Sequence, residues 1–134
     1  MKIAISATEP GLEAEIDRRL GRCRIFTIVD TETLEYESIE NGNSMSSGGA
    51  GTSASQVLAE KNIEAVLTGN CGPNAFSVLN AAGIEVYTGI SGKVKDAVER
   101  LKSGELQKNT QASVPDHFGS GGMGRGRGRG MGMR

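Results

Sequence analysis

The chain has 134 residues, two cysteines and a formal net charge of −1 at pH 7. This length predicts one domain with its own core, and the lack of any apolar run long enough for a bilayer argues against a membrane protein. The cysteines, Cys23 and Cys71, lie 48 positions apart without CxxC spacing, which argues against a zinc site or a disulfide framework. The opening residues, MKIAISATEPGLEAEID, have too short an apolar stretch for a secretory signal, so a cytoplasmic location is expected.

Basic and acidic residues are divided unevenly along the chain. The last sixteen residues, GSGGMGRGRGRGMGMR, contain eight glycines, four arginines and no acid. Residues 1–118 therefore keep 11 of the 15 basic residues against all 16 acids, a balance of −5. Because such a tail has too little apolar surface to offset the entropy of ordering it, we expect a folded domain over residues 1–107 and a mobile Gly/Arg/Met-rich tail over 108–134.

Three strands are predicted at the start of the chain. KIAIS (2–6) is a short apolar run, and RIFTIVD (24–30) and LEYESIE (34–40) flank a turn at Asp30 to Thr33. So short a connection favours antiparallel pairing of the second and third strands.

Helices and strands alternate in the second half of the domain. Apolar runs predict strands over IEAVLT (63–68) and IEVYT (84–88), and helical spacing predicts helices over SASQVLAEKN (53–62), NAFSVLNAAG (74–83) and KVKDAVERLKSG (93–104). The apolar helical stripes are Ala54, Val57 and Leu58, then Phe76, Leu79 and Ala82, then Val94, Ala97, Val98 and Leu101. The element order is therefore βββαβαβα.

This order predicts a mixed sheet. The two β-α-β crossovers require parallel pairing with right-handed connections. The simplest arrangement is a five-stranded sheet of order 3-2-1-4-5, with strand two antiparallel and helices on both faces, which is a three-layer α/β/α fold of the ribonuclease H-like type. The glycine-bearing loops at 41–53, 69–74 and 89–92 then gather at one edge, where open α/β sheets bind ligands. Cys23 and Cys71 would share that crevice.

The segment GNCGPNA (69–75) is the first candidate site. Pro73 suits the first position of a helix, which places Cys71 beside a helix N-terminus that favours an anion, so we expect a lowered thiol pKa and affinity for soft metals. Gly69 and Gly72 would let the backbone approach a ligand closely. The alternative is a tight strand-to-helix turn in which Cys71 only fills a small space.

The loop SSGGAGTS (46–53) is the second candidate, because its free N–H groups ahead of a helix beginning near Ser53 could hold phosphate or a sulfide cluster. It is not a Walker A motif, since no lysine follows the glycines. Gly49, Gly51 and Ala54 match GxGxxA, but about eight residues separate them from the preceding strand, whereas a dinucleotide-binding motif opens directly after its strand. A flexible loop without a ligand is the alternative.

Together these segments resemble the dinitrogenase iron-molybdenum cofactor biosynthesis family, which includes nitrogenase accessory proteins and the molybdenum-copper orange protein. The resemblance covers roughly residues 1–106 and rests on KIAIS, LGRCRIFTIVD, VKDAVERLKSGEL and the specific block GGAGTSASQVLAEKNIEAVLTGNCGPNAFSVLNAAGIEVYTG. The family often has His-Phe-Gly-Arg before strand two, and RLGR (19–22) stands there in this chain, without the histidine. The fold of the family agrees with the topology above.

The resemblance implies binding rather than catalysis. Members carry or help to assemble anionic metal-sulfur clusters, so an iron-molybdenum or related cluster is the expected cargo and a metallocluster donor or acceptor protein the expected partner. Backbone donors, Arg22 or Arg24, and a thiolate of Cys71 or Cys23 as metal ligand would hold such an anion. The expected cluster-binding residues are Gly48, Gly49, Gly51, Thr52, Gly69, Asn70, Cys71, Gly72, Asn74 and Arg22.

Other functions fit these residues less well. A two-metal nuclease is disfavoured because KIAIS has no acid and Asp30 belongs at the opposite edge, and a cysteine hydrolase because the sole histidine, His117, lies in the tail. His117 with the tail methionines as a metal site is a lesser alternative to a solvated linker. A phosphate- or nucleotide-binding regulatory domain is the main rival, and RNA binding through the Arg-Gly tail is a minor one. The oligomeric state is left open.

Overall fold

The computed structural model describes residues 1–41 and 50–109, with only the backbone described at 50–53. The elements are β1 Lys2–Ala7, β2 Ile25–Asp30, β3 Tyr36–Glu40, α1 Ala50–Ala59, β4 Ala65–Leu67, α2 Pro73–Ala81, β5 Glu85–Tyr87 and α3 Val94–Lys102. The predicted tail beyond residue 109, including His117, lies outside the described residues, so the domain boundary stays a prediction.

The five strands form one mixed sheet of order β3-β2-β1-β4-β5. β1 pairs with β4 in parallel and with β2 antiparallel, and β2 pairs antiparallel with β3. β4 and β5 are parallel, as the crossover through α2 requires. The predicted ribonuclease H-like α/β fold and strand order are confirmed. Among the described residues, no helix is long and apolar enough to span a bilayer.

Alternating side chains of β1 separate two cores. Ile3, Ile5 and Ala7 belong to a core that includes the inner side of α3, whereas Ala4 belongs to a core shared with α1 and α2. This alternation is the two-residue period of a strand buried on both faces. Both cysteines lie in the second core, on the α1 and α2 side.

The predicted helical stripes are confirmed in most positions. Val94, Ala97 and Val98 are buried along α3 as predicted. Two positions are corrected: Val57 is 40% exposed and Ala82 is exposed. Ala54 and Leu58 lie on the buried side of α1. Val57 lies about 100° around the helix from Leu58 and therefore points away from the core. Ala82 follows the last helical residue and so no longer continues the helical period.

Residues 8–24, here called the strap, cross the end of the sheet between β1 and β2. Within the strap, Ile16 forms an isolated β-bridge with Ala7, and Arg19 forms another with Asn70. The N–H of Ile16 also donates to the carbonyl of Gly92 at 2.9 Å. The strap thus joins the ends of β1 and β4 to the loop before α3. The sequence did not predict this structure, because the strap is irregular and its partners are distant in the chain.

Gly69 allows the strap to lie directly on the end of β4. A Cβ atom at this position would be 2.6 Å from the Cα of Arg18 and 2.9 Å from its carbonyl oxygen, closer than non-bonded atoms approach. The N–H of Asn70 donates to that same carbonyl at 2.9 Å. We expected Gly69 to make room for a ligand, but the space beside its Cα is filled by the strap.

We predict that Gly69→Ala lowers the free energy of unfolding by about 2 kcal/mol, because the new methyl group meets backbone that cannot rotate away. Gly72→Ala is the matched control, since nothing lies within 4 Å of its added Cβ and its φ of −77° suits alanine. The control should change the free energy of unfolding by less than about 1 kcal/mol, because alanine is a poorer N-cap than glycine but also lowers the entropy of the unfolded chain. Urea unfolding followed by circular dichroism measures both, and equal effects would contradict the role assigned to Gly69.

Candidate functional site

The predicted convergence at one edge of the sheet is present for the strand ends and for the loops at 69–74 and 89–92, whereas residues 42–49 of the first predicted loop lie outside the described residues. Ala7 pairs with Ile25, and Ile25 with Glu40, so the ends of β1 and β3 meet the start of β2. On the other side the N–H of Gly89 donates to the carbonyl of Gly69 at 2.8 Å, which joins the loops after β4 and β5. We call this edge, with the strap, the carboxyl rim.

Exposed arginines make the last part of the strap, residues 18–24, cationic. Arg18, Arg19, Arg22 and Arg24 are all exposed, and Asp17 is the one acid between Ile16 and Arg24. Asp17 is already occupied, because its carboxylate accepts the Nε and Nη2 groups of Arg19 at 3.1 Å and the backbone N–H of Arg19 at 2.9 Å. Among the described residues no acid pairs with Arg18, Arg22 or Arg24, so their charges are available to a ligand anion.

The charge state of Asp17 reflects two opposing effects. Burial alone would raise the pKa of this carboxyl group, but the hydrogen bonds and charge of Arg19 outweigh burial and lower it. The strap backbone beside it is held by Ser6, whose hydroxyl donates to the carbonyl of Asp17 at 2.7 Å and lies 2.8 Å from the hydroxyl of Thr68. Asp17 thus lies where the strap is joined to β1 and β4.

Asn41 holds the turn that carries Arg22. Its side-chain Nδ2 group donates to the carbonyls of Gly21 at 2.9 Å and Cys23 at 2.8 Å, on either side of Arg22. Its backbone N–H donates to the carbonyl of Arg24 at 2.9 Å. Asn41 is a residue of the candidate site that the sequence does not mark by any motif, and its only signal is a polar side chain directly after β3.

The bend after β4 presents backbone donors beside the strap. α2 begins at Pro73, and Gly72 at its N-cap gives no side-chain hydrogen bond to the first turn. The first N–H groups of a helix have no partner within the helix, so those of Asn74 and Ala75 face outward from its end. The side chains of Asn70 and Asn74 are half-buried and exposed, respectively. The bend is therefore suited to an anion.

The structure revises the predicted glycine loop. α1 begins at Ala50 rather than near Ser53, so Gly51 and Thr52 belong to its first turn. Gly48 and Gly49 lie outside the described residues. A role for this segment in binding stays a prediction.

The two thiols are buried. Cys23 is 0% and Cys71 1% exposed. The Cys23 thiol lies 3.4 Å from the carbonyl of Leu20, and that of Cys71 lies 3.7 Å from the carbonyl of Gly72. Burial raises the pKa of each thiol to about 12. The expected lowering of the Cys71 pKa is wrong, because the cost of burying a thiolate exceeds the stabilisation from the helix end.

Thiol burial also bears on metal binding. A cysteine thiol must lose its proton and reach the metal before it can act as a ligand. Neither sulfur is at the surface in this conformation. Within residues 1–41 and 50–109, no group of three or more His, Cys, Asp or Glu side chains could hold a metal ion. The described part of the rim therefore offers hydrogen-bond donors and positive charge rather than a cage of ligands.

Comparison with known proteins gives consistent matches. The sequence profile of the family described as dinitrogenase iron-molybdenum cofactor matches residues 1–104. An uncharacterized protein of Methanocaldococcus jannaschii is 32% identical over 111 residues, covering 81% of this chain and 91% of the relative. The apo form of the orange protein from Desulfovibrio gigas is 39% identical with a TM-score of 0.81, over 84% of this chain and 95% of that chain. A NifB-like protein from Thermotoga is 32% identical with a TM-score of 0.72, over 84% and 96% of the two chains.

We predict that both thiols react with Ellman's reagent at least about a hundredfold more slowly in the folded protein than in urea at pH 8, because they are buried and protonated. The denatured protein is the control and should release two equivalents of chromophore per chain. Rapid release of one equivalent from the folded protein would show that one sulfur is accessible after all.

We predict that Asp17→Asn lowers the free energy of unfolding by about 1 kcal/mol at pH 7, because the variant loses a charge-assisted pair with a partly exposed arginine. The lowered pKa in the folded state means that the ionised form stabilises the fold above the ordinary pKa of 3.8, and that this stabilisation is lost as the pH falls through the folded-state value. Urea unfolding at pH 7 and pH 3 should show the difference between the two proteins shrinking in acid. A difference that is constant with pH would contradict this assignment.

Proposed function

Because the chain belongs to the dinitrogenase iron-molybdenum cofactor family, as its sequence segments had indicated, we propose that it binds an anionic metal-sulfur cluster at the carboxyl rim and carries it between proteins. The cluster, iron-molybdenum or related, is cargo, and the proposal includes no catalytic step. The expected partners are a donor and an acceptor of the cluster.

The observation that supports this proposal is that the cationic last part of the strap, residues 18–24, lies next to the bend after β4. The backbone of Arg18 touches Gly69 and bonds to Asn70, so the strap and the start of α2 form one continuous surface. Arginine side chains and outward N–H groups both favour an anion. Thiometallate clusters are multiply charged anions, so this surface complements them.

The mode of binding that fits these residues is non-covalent. Arg22, Arg24 and the N–H groups of Asn74 and Ala75 at the start of α2 would contact the outer sulfur atoms of the cluster, and no metal-ligand bond would need to break on release. Such contacts favour a carrier, which must both hold and surrender its cargo. Ligation by Cys71 or Cys23, as the sequence suggested, would additionally require the rim to open.

The rival cargo is an oxyanion such as phosphate or a nucleotide, since the same donors would bind it. Size and charge distinguish the two. A cluster contacts strap and bend together, whereas a single phosphate fits at one helix end. Inorganic phosphate is therefore an informative competitor.

The test is an anaerobic titration of the full chain with tetrathiomolybdate, followed by its visible spectrum. We expect saturable binding that Arg22→Gln weakens by about three- to tenfold, because one exposed charge contact is lost. Lys61→Gln is the matched control, since Lys61 is exposed just before β4, at the opposite edge of the sheet, and should change affinity less than about twofold.

Two further arms discriminate between modes of binding. Cys71→Ser should keep the spectrum of the bound anion, whereas loss or a large shift of that spectrum would assign a thiolate ligand. Competition by millimolar phosphate at equal strength would favour the oxyanion function. An unchanged spectrum on mixing the unaltered chain with tetrathiomolybdate would count against the carrier proposal.

A further inference from the structure

We propose that the outer edge of β3 is a docking site for an extended segment of a partner protein in which basic and apolar residues alternate. The segment would add a strand to the five-stranded sheet, a mode of recognition in which backbone hydrogen bonds give affinity and alternate side chains give specificity. β3 is the last strand on its side of the sheet, and among the described residues no strand pairs with its outer edge. Docking at this edge does not depend on the cargo proposed for the carboxyl rim.

The outer edge of β3 presents a regular row of backbone donors and acceptors. The N–H of Asn41 donates to the carbonyl of Arg24 at 2.9 Å, and the N–H of Asp30 donates to the carbonyl of Glu35 at 2.9 Å. Hydrogen-bonded pairs alternate along an antiparallel ladder, so every second residue of β3 directs its N–H and carbonyl groups away from β2. These outward residues are Tyr36, Ser38 and Glu40. Their spacing is the one that a further strand requires.

The α1 side of this edge is acidic. Glu37 pairs with Ile28 of the core shared with α1 and α2, so its side chain lies on that side of the sheet. A groove of about 340 Å³ beside it is lined by Asp30, Glu35 and Glu37, with Lys2 as the one basic residue of its described lining. Glu35 and Glu37 are exposed, and neither forms an ion pair with a described residue. A basic side chain of an added strand would therefore meet unpaired carboxylates.

The α3 side of the same edge is apolar near the start of β3. Tyr36 pairs with Val29 of the core beneath α3, and it is 50% exposed. Leu34 is 41% exposed and lines a groove of about 230 Å³ with Leu12, Val98 and charged residues of α3. Its φ of 64° is one that branched side chains seldom adopt, so the turn itself does not favour leucine. Exposed apolar side chains that lie together in this way are typical of interaction sites.

These two sides determine which segment fits. Successive side chains of a strand point to opposite faces, so a segment paired with β3 would place every second residue on the acidic side and the others on the apolar side. Lysine or arginine alternating with a β-branched residue satisfies both. A second copy of this chain fits less well, because pairing two β3 edges would bring Glu35, Glu37 and Glu40 of one chain close to the same acids of the other.

The experiment uses an acetylated and amidated peptide of sequence KVKVKVK as the probe and follows the backbone amide signals of the full chain by NMR. We expect saturable shifts at Tyr36, Ser38 and Glu40, together with slower hydrogen exchange of these three N–H groups in the bound state. The peptide EVEVEVE has the same alternation with the opposite charge. As the control, it should leave these three signals unchanged.

Three variants of the chain separate backbone pairing from charge. Ser38→Pro removes an outward N–H and should abolish binding, and an edge strand tolerates proline where the N–H faces solvent. Glu35→Gln/Glu37→Gln should weaken binding of KVKVKVK by about three- to tenfold. The matched control, Glu9→Gln/Glu60→Gln, removes two exposed charges elsewhere and should change the affinity less than about twofold.

The docking site would be overturned by equal effects of the two peptides, by equal effects of the two double variants, or by the absence of any shift at β3. Slow exchange of the three N–H groups in the free monomer would overturn it too, because the chain itself would then cover the edge. A dimer that Ser38→Pro dissociates would assign the edge to a second copy instead. None of these results bears on tetrathiomolybdate binding, so failure of this inference leaves the proposed function standing.

Discussion

The contact between Gly69 and the backbone of Arg18 is the constraint on which the candidate site depends. Only a residue without a Cβ lets the strap lie against the end of β4, and the bond from Asn70 to the same carbonyl fixes their register. The hydroxyl groups of Ser6 and Thr68 are hydrogen-bonded to each other, and that of Ser6 also donates to the carbonyl of Asp17, which joins the strap to β1 and β4. With this contact the strap arginines and the N-terminus of α2 share one surface. Without it they would belong to separate loops.

Burial of the thiols removes both sulfurs from the surface of the rim in this conformation. Both sulfurs lie in the core beneath α1 and α2, so they contribute apolar packing rather than nucleophilic or ligand chemistry in this conformation. Cysteine is among the residues most often buried, and its weak polarity makes it a suitable small core residue. The chemistry of the rim then comes from N–H groups and guanidinium groups. These bind anions by charge and geometry rather than by metal-sulfur bonds.

The sequence alone predicts the topology of the sheet, but it does not predict the structure of the strap. Periodic apolar runs report which face of a strand or helix is buried, and the crossover rule converts their order into a topology, so the order 3-2-1-4-5 followed from local patterns. The strap has no period, and its stability comes from partners such as Asn70 and Lys93, which are far away in the chain. The state of Cys71 was missed for a related reason. Spacing placed it at a helix end, but burial depends on what packs over it.

The distribution of charge relates these observations to binding. The body of the chain is acidic, and among the described residues carboxylates such as Glu32, Glu64 and Glu85 lie toward the other end of the strands. Residues 18–24 of the strap carry four arginines and no acid, so this part of the surface favours an anion although the body as a whole is acidic. Such a field would orient a cluster without enclosing it. In the proposed carrier, an open site of this kind would lower affinity but leave part of the cluster exposed, and a receiving protein would have to reach that exposed part before transfer.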